Sequence, residues 1–162
     1  MAFEMTHRNL CLKGAKYLRS KGINQYHKGQ YVVCELERCG ESPDAFAWGG
    51  GSTQLIEAKV SRSDFLSDKK KLWRNNPPYG IGRYRSYICP TDLIKPEELP
   101  LCWGLIYVND KGKLTEVVKA ELQECNHIEE INLITSILRR EGIKQQMFDY
   151  KIYKTERKTH NK

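Results

Sequence analysis

Three residues have the types and spacing for phosphate chemistry: Asp44, Glu57 and Lys59. Side chains alternate faces along a β-strand. In Leu55-Ile56-Glu57-Ala58-Lys59-Val60 this puts Ile56, Ala58 and Val60 on an apolar face and sets Glu57 beside Lys59 on the other. Asp44 opens the preceding stretch, Ala45-Phe46-Ala47-Trp48, across the turn Gly49-Gly50-Gly51. Paired strands lie about 4.8 Å apart, so an antiparallel neighbour brings Asp44 beside Glu57. Two adjacent carboxylates repel unless a cation lies between them. Mg2+ or Mn2+ suits the place, being a hard ion that takes oxygen ligands and keeps several waters. The Ala58 carbonyl offers a third protein ligand. Lys59 would orient or help deprotonate an attacking water, or stabilise charge building on a phosphate. The expected chemistry is hydrolysis of a phosphodiester. A surface ion pair on an edge strand would use the same three residues with no chemistry at all.

The flanking sequence supplies the elements that must position these groups. Apolar residues Leu10, Ala15, Tyr17 and Leu18 predict a helix over residues 9–21, with Gly22 as its stop. Strands are expected over 31–36, 44–48 and 54–60, the last two as an antiparallel hairpin about the glycine turn. Ser61 and Asp64 have N-cap spacing for a helix over 62–73, which Asn75-Asn76-Pro77-Pro78 ends. Further strands are expected at 84–89, 103–108 and 114–118, and a final helix at 128–141 that stops at Gly142. Helices interrupt a run of strands, which predicts an α/β layered fold on a mixed sheet.

The chain has 162 residues and 18.9 kDa, the size of one domain. We expect that domain over 1–150, followed by a basic tail over 151–162. Hydrophobic residues at 40% and charged residues at 29% exclude a disordered chain, and no apolar run is long enough to cross a membrane. The first ten residues include Glu4, His7 and Arg8 and have no apolar signal core. Most of the six cysteines sit in apolar surroundings, as reduced cysteines do, and a cytoplasmic location is expected. One residue separates Cys125 from His127, but no Cys-x2-Cys pair occurs to signal structural zinc. The histidines are scattered, with no partner in sequence that suggests catalysis, and the tryptophans read as core.

A net charge of +7 favours a polyanionic partner. Ser61, Arg62, Lys69, Lys70 and Arg74 lie on or beside the predicted second helix, where they could follow a phosphate backbone. Helical spacing pairs Arg62 with Lys69 and Lys70 with Arg74. Residues 79–85 combine glycines, tyrosines, Arg83 and Arg85, which reads as a flexible substrate-facing loop.

Pro43-Asp44, twelve intervening residues and then Glu57-Ala58-Lys59 resemble the PD-(D/E)XK signature of restriction-endonuclease-like nucleases. The following run, Val60-Ser61-Arg62-Ser63-Asp64-Phe65-Leu66-Ser67-Asp68-Lys69-Lys70, is similar to that of small bacterial DNA-repair-associated members of the superfamily (MmcB type). The resemblance covers residues 9–118 and extends to the order helix, three strands, helix, strand. It implies a restriction-endonuclease-like core, a Mg2+- or Mn2+-dependent endonuclease, and DNA rather than RNA as substrate. Asp44 and Glu57 would be metal ligands and Lys59 the catalytic lysine. Many members add an acidic residue from the first helix or first strand. The predicted helix has none, so Glu35 or Glu37 would substitute, with Glu35 favoured as lying deeper in its strand. Cutting both strands of a duplex would need two active sites and therefore a homodimer. A binding module without turnover, or an interaction protein for an acidic partner, are the other readings of the same charge.

Overall fold

The computed structural model describes residues 2–21, 31–38 and 40–143; the expected basic tail lies outside them. It is a mixed α/β fold. The elements are α1 (His7–Lys21), β1 (Tyr31–Cys34), β2 (Ala45–Gly49), β3 (Ser52–Ala58), α2 (Arg62–Lys69), α3 (Leu72–Asn75), β4 (Tyr84–Pro90), β5 (Trp103–Val108), β6 (Leu114–Val118) and α4 (His127–Arg140), with short 3-10 turns at Pro77–Tyr79 and Pro96–Glu98. The chain divides into two compact units, residues 1–130 and 131–162. In the second, α4 ends at Gly142 (φ 79°), whose N–H donates to the Arg139 carbonyl, as expected of a glycine stop.

In the first unit the six strands form one sheet in chain order. β1, β2 and β3 pair antiparallel, β4 and β5 continue parallel to β3, and β6 returns antiparallel. The parallel step from β3 to β4 needs a crossover, which α2 and α3 supply. α1 buries Leu10, Cys11, Gly14 and Leu18, a spacing of three to four residues that forms one stripe. The stripe packs on Ala45, Ala47, Ile56, Ala58, Ile88 and Ile106, the apolar face expected of β3 and its neighbours. Val60 departs from that expectation. β3 ends at Ala58, and Val60 lies beyond it, exposed.

The second predicted helix is broken. Lys71 is extended (φ −62°, ψ 138°) between α2 and α3. At 3.6 residues per turn, positions 68 and 74 of one continuous helix would lie about 120° apart. The break lets Arg74 fold back, and its Nε donates to Asp68 Oδ2 at 2.6 Å. The expected pairing of Lys70 with Arg74 on one helix face therefore does not occur.

Arg85 corrects another expectation. It is fully buried in β4, and its guanidinium donates to the carbonyls of Gly82 (2.8 Å), Pro77 (2.7 Å), Gly80 (3.0 Å), Trp73 (3.2 Å) and Glu124 (2.9 Å). It organises residues 73–82 from within and, being fully buried, presents no surface to a phosphate. Within the same loop Gly80, Ile81 and Gly82 are buried, with the Ile81 N–H donating to Glu41 Oε2 at 2.9 Å, while Tyr79 is exposed and Arg83 half-buried. Of the tryptophans, Trp103 is core, whereas Trp48 and Trp73 are half-buried.

Gly104 in β5 is required by close approach. A Cβ there would stand 2.5 Å from Ser86 Oγ and 2.8 Å from the Ala120 backbone nitrogen. The backbone cannot yield cheaply, so Gly104→Ala is expected to cost about 1–3 kcal/mol. Urea unfolding monitored by circular dichroism checks this; an unchanged midpoint would contradict it. Among the described residues no helix is long and apolar enough to cross a membrane.

Candidate active site

The hairpin register brings the predicted residues together. Ala45 pairs with Ile56, and one further step sets Asp44 opposite Glu57. The backbone ladder stops there and the Asp44 side chain takes over, its Oδ2 accepting the Ala58 N–H at 2.8 Å. The Lys59 N–H points the other way, to the Ile88 carbonyl of β4 at 2.9 Å. Because a strand's polar groups alternate in direction, the Ala58 carbonyl lies on the Asp44 side of β3, as a third ligand requires.

Glu57 and Lys59 are only 3% and 4% exposed. This is no surface ion pair. Glu57 Oε2 lies 3.0 Å from Arg74 Nη2 and 3.5 Å from Lys59 Nζ. Its other oxygen, Oε1, is buried and has no hydrogen-bond partner. Burial pushes the Glu57 carboxyl above the usual carboxylate range; Arg74 and Lys59 oppose this, while Asp44 and Asp68 add to it. Lys59 Nζ also faces Asp68 at 3.5 Å and Asp64 at 3.8 Å. Burial works to lower the pKa of its ammonium, but Glu57, Asp68, Asp64 and Asp44 outweigh burial and raise it. Lys59 therefore stands as a cation in neutral solution.

Beneath lies a buried network. Arg74 binds Asp68 through two nitrogens, meets Glu41 and Glu57, and lies over the Trp103 ring at 5.2 Å. The Tyr87 hydroxyl donates to Asp68 Oδ2 at 2.9 Å. Burial works against the Asp68 charge, yet hydrogen bonds from Arg74 and the nearby cations prevail and hold its carboxyl well below the usual range. Arg74 was expected to contact a nucleic-acid backbone. It is instead an internal counter-ion, fully engaged with carboxylates.

The remaining expected contacts are dispersed. Ser61 caps α2, accepting the Asp64 N–H at 3.2 Å. Arg62 is exposed but forks onto Glu98 at 2.6 and 2.7 Å. Lys69 lies over the Phe65 ring at 5.9 Å, and Lys70 is exposed. Arg83 is on the loop before β4, with its N–H on Thr53 Oγ1 at 3.0 Å. Glu35 is not deep in a strand. It follows β1 with φ 52°, and its carboxylate meets Arg8 and His7.

His7 was not foreseen. Its Nε2 lies 3.2 Å from Asp44 Oδ1, and with Cys11 and Asp44 it forms a group able to hold a metal ion. The signal was present, since His7 and Cys11 are four apart on one helix face. It was lost because the helix was expected to begin at residue 9, two residues late.

No family model matches the chain, and no curated protein matches it. Among solved structures it is similar to the SPO1766 protein of Silicibacter pomeroyi, a protein of unknown function, with 19% identity and a TM-score of 0.54 over 91% of this chain and all of that one. At that identity the two share a fold, and nothing about activity follows.

For a hard divalent ion the donor set fits. Asp44 and Glu57 offer carboxylate oxygens, the unpartnered Glu57 Oε1 is buried beside them, and Ala58 offers a carbonyl. An orphaned buried carboxylate oxygen is costly unless something binds it.

Proposed function

We propose that the protein is a metal-dependent nuclease that hydrolyses phosphodiester bonds, in DNA, on a restriction-endonuclease-like core. The observation that carries this reading is the convergence of Asp44, Glu57 and Lys59 at one end of the β2–β3 pair, with Glu57 Oε1 buried and unsatisfied. The order helix, three antiparallel strands, helical crossover and parallel strand supports the core, and the +7 charge supports a polyanionic substrate. Asp44, Glu57 and the Ala58 carbonyl would hold Mg2+ or Mn2+. The bound ion supplies a Lewis acid for the phosphate and lowers the pKa of its water. Lys59, held cationic, donates hydrogen bonds to developing negative charge. Glu35 stands at one remove from Asp44, its carboxylate 3.7 Å from the His7 imidazole that meets Asp44.

The test is incubation of supercoiled plasmid and a labelled single strand with wild type and Glu57→Gln, in Mg2+, Mn2+ or EDTA. Wild type is expected to cleave in metal and not in EDTA, and Glu57→Gln to lose cleavage by at least about 100-fold. Cleavage by Glu57→Gln at the wild-type rate would overturn the site. Its thermal stability should not fall, because the buried carboxylate is disfavoured as an anion there and glutamine is a neutral isostere. Metal affinity should rise with pH. Glu57 must lose its proton to bind, and its pKa is raised, so calorimetry should show affinity falling on acidification well before the ordinary glutamate value of about 4.3.

A further inference from the structure

A second cluster lies away from these residues, where the segment after β6 enters the first turn of α4. Cys125 Sγ is 3.5 Å from His127 Nδ1, and His127 Nδ1 is 3.3 Å from Glu130 Oε2; the three ligand atoms lie within 4.8 Å of one another. The first two of these separations are those a tetrahedral zinc ion imposes. With bonds of about 2.3 Å to sulfur and about 2.0 Å to nitrogen and oxygen, the S···N and N···O edges are about 3.5 and about 3.3 Å.

The cluster is also braced. Glu130 is buried, and its other oxygen, Oε1, accepts from the Thr53 hydroxyl at 2.7 Å and the Gly82 N–H at 2.8 Å. That fixes the carboxylate with Oε2 toward His127, as outer hydrogen bonds orient metal ligands. Cys125 and His127 line a cavity of about 560 Å³ together with Pro78, Arg83 and Gln123. Both polar atoms of the Gln123 amide are buried there without a partner.

We propose that Cys125, His127 and Glu130 form a zinc site, with the fourth position taken by water from the cavity. Thiolate, imidazole and carboxylate give a donor set for zinc rather than for Mg2+, and their two negative charges neutralise the ion. Burial, with Glu130 adjacent, pushes the metal-free Cys125 thiol up to about 12, so uptake of the ion displaces that proton. The bound ion ties the start of α4, through Glu130, to β3 at Thr53 and to the loop before β4 at Gly82.

Titration of the full-length, reduced protein with Co2+ tests this. Wild type should develop the visible bands of tetrahedral cobalt and a near-ultraviolet thiolate-to-cobalt band with the intensity of one thiolate-bound Co2+ per chain, whatever further Co2+ the β2–β3 site takes up. Cys125→Ser should lose the thiolate band, while Cys11→Ser and Glu57→Gln keep it. Zn2+ should raise the melting temperature of wild type and not of Cys125→Ser, and Thr53→Val should weaken Zn2+ binding about 10–100-fold. Absence of the thiolate band in wild type, its survival in Cys125→Ser, or its loss in Cys11→Ser would each overturn the assignment. Because Glu57→Gln removes only the β2–β3 site, failure here is distinguishable from failure of the nuclease reading.

Discussion

Arg74→Met is expected to destabilise the protein by about 3–5 kcal/mol, the cost of removing one partner from a buried ionic network. Arg74 is buried and serves three carboxylates, Asp68, Glu41 and Glu57. Methionine keeps much of the volume against Trp103 but leaves Glu41 and Asp68 without their guanidinium. Lys59 and Lys71 still face Asp68, so its charge is not orphaned outright. A loss of this size is a large fraction of a typical domain's stability. For a chain of this length it lowers the melting temperature by about 10 °C. Acid sensitivity should shift as well. The depressed Asp68 pKa contributes stability that is present above the ordinary aspartate value of about 3.9 and lost only in strong acid. Without Arg74 the folded pKa rises, so part of that stability is missing at neutral pH. Thermal melts between neutral and mildly acidic pH check both points. A melting temperature within 2–3 °C of wild type, the shift that a loss of only about 1 kcal/mol produces, would contradict the network's role.

That network explains what the sequence did and did not disclose. Alternation along residues 55–59 and the glycine turn at 49–51 were enough to place Glu57 beside Lys59 and to bring Asp44 across, because a hairpin's register follows from local geometry. Strand order beyond the hairpin followed less directly, since it depends on where α2 and α3 return the chain. Charge was the least legible property. Arginines beside a predicted basic helix read as surface donors, yet Arg74 and Arg85 are buried, one among carboxylates and the other among backbone carbonyls. Nothing local distinguishes these from Arg62, which is exposed. For Arg74 the difference is made by Asp68, near in sequence but reached only because the helix breaks at Lys71, and by Glu41, far away in sequence; for Arg85 it is made by the carbonyls of residues 73–82, which converge only once that loop has folded, and by the distant Glu124 carbonyl. His7 and Glu130 were missed for the same reason: each acquires meaning from a strand or loop more than thirty residues away, Asp44 for the first and Thr53 and Gly82 for the second.

Lys59→Met should separate metal binding from turnover. Lys59 is nearly buried, with Glu57, Asp68 and Asp64 around its ammonium. These carboxylates raise its pKa, so near neutral pH the metal-free protein holds a donor, not a base. The sign has two consequences. A raised lysine pKa contributes stability that is complete below the unfolded value of about 10.4 and lost as pH rises through the folded one. And the group can stabilise negative charge on a phosphate without first giving up a proton. Removing it deletes a cation beside the place where Asp44 and Glu57 would hold another, so Mn2+ affinity should equal or exceed that of wild type. Cleavage should fall about 100–1000-fold, the usual effect of losing one preorganised donor. Calorimetry with Mn2+ and plasmid cleavage, on protein shown to be folded by circular dichroism, give the two readouts. Parallel loss of both would mean that Lys59 only holds Glu57 in place, and the lysine would then be a structural counter-ion like Arg74. Retained binding with lost cleavage would assign Lys59 to the reaction itself.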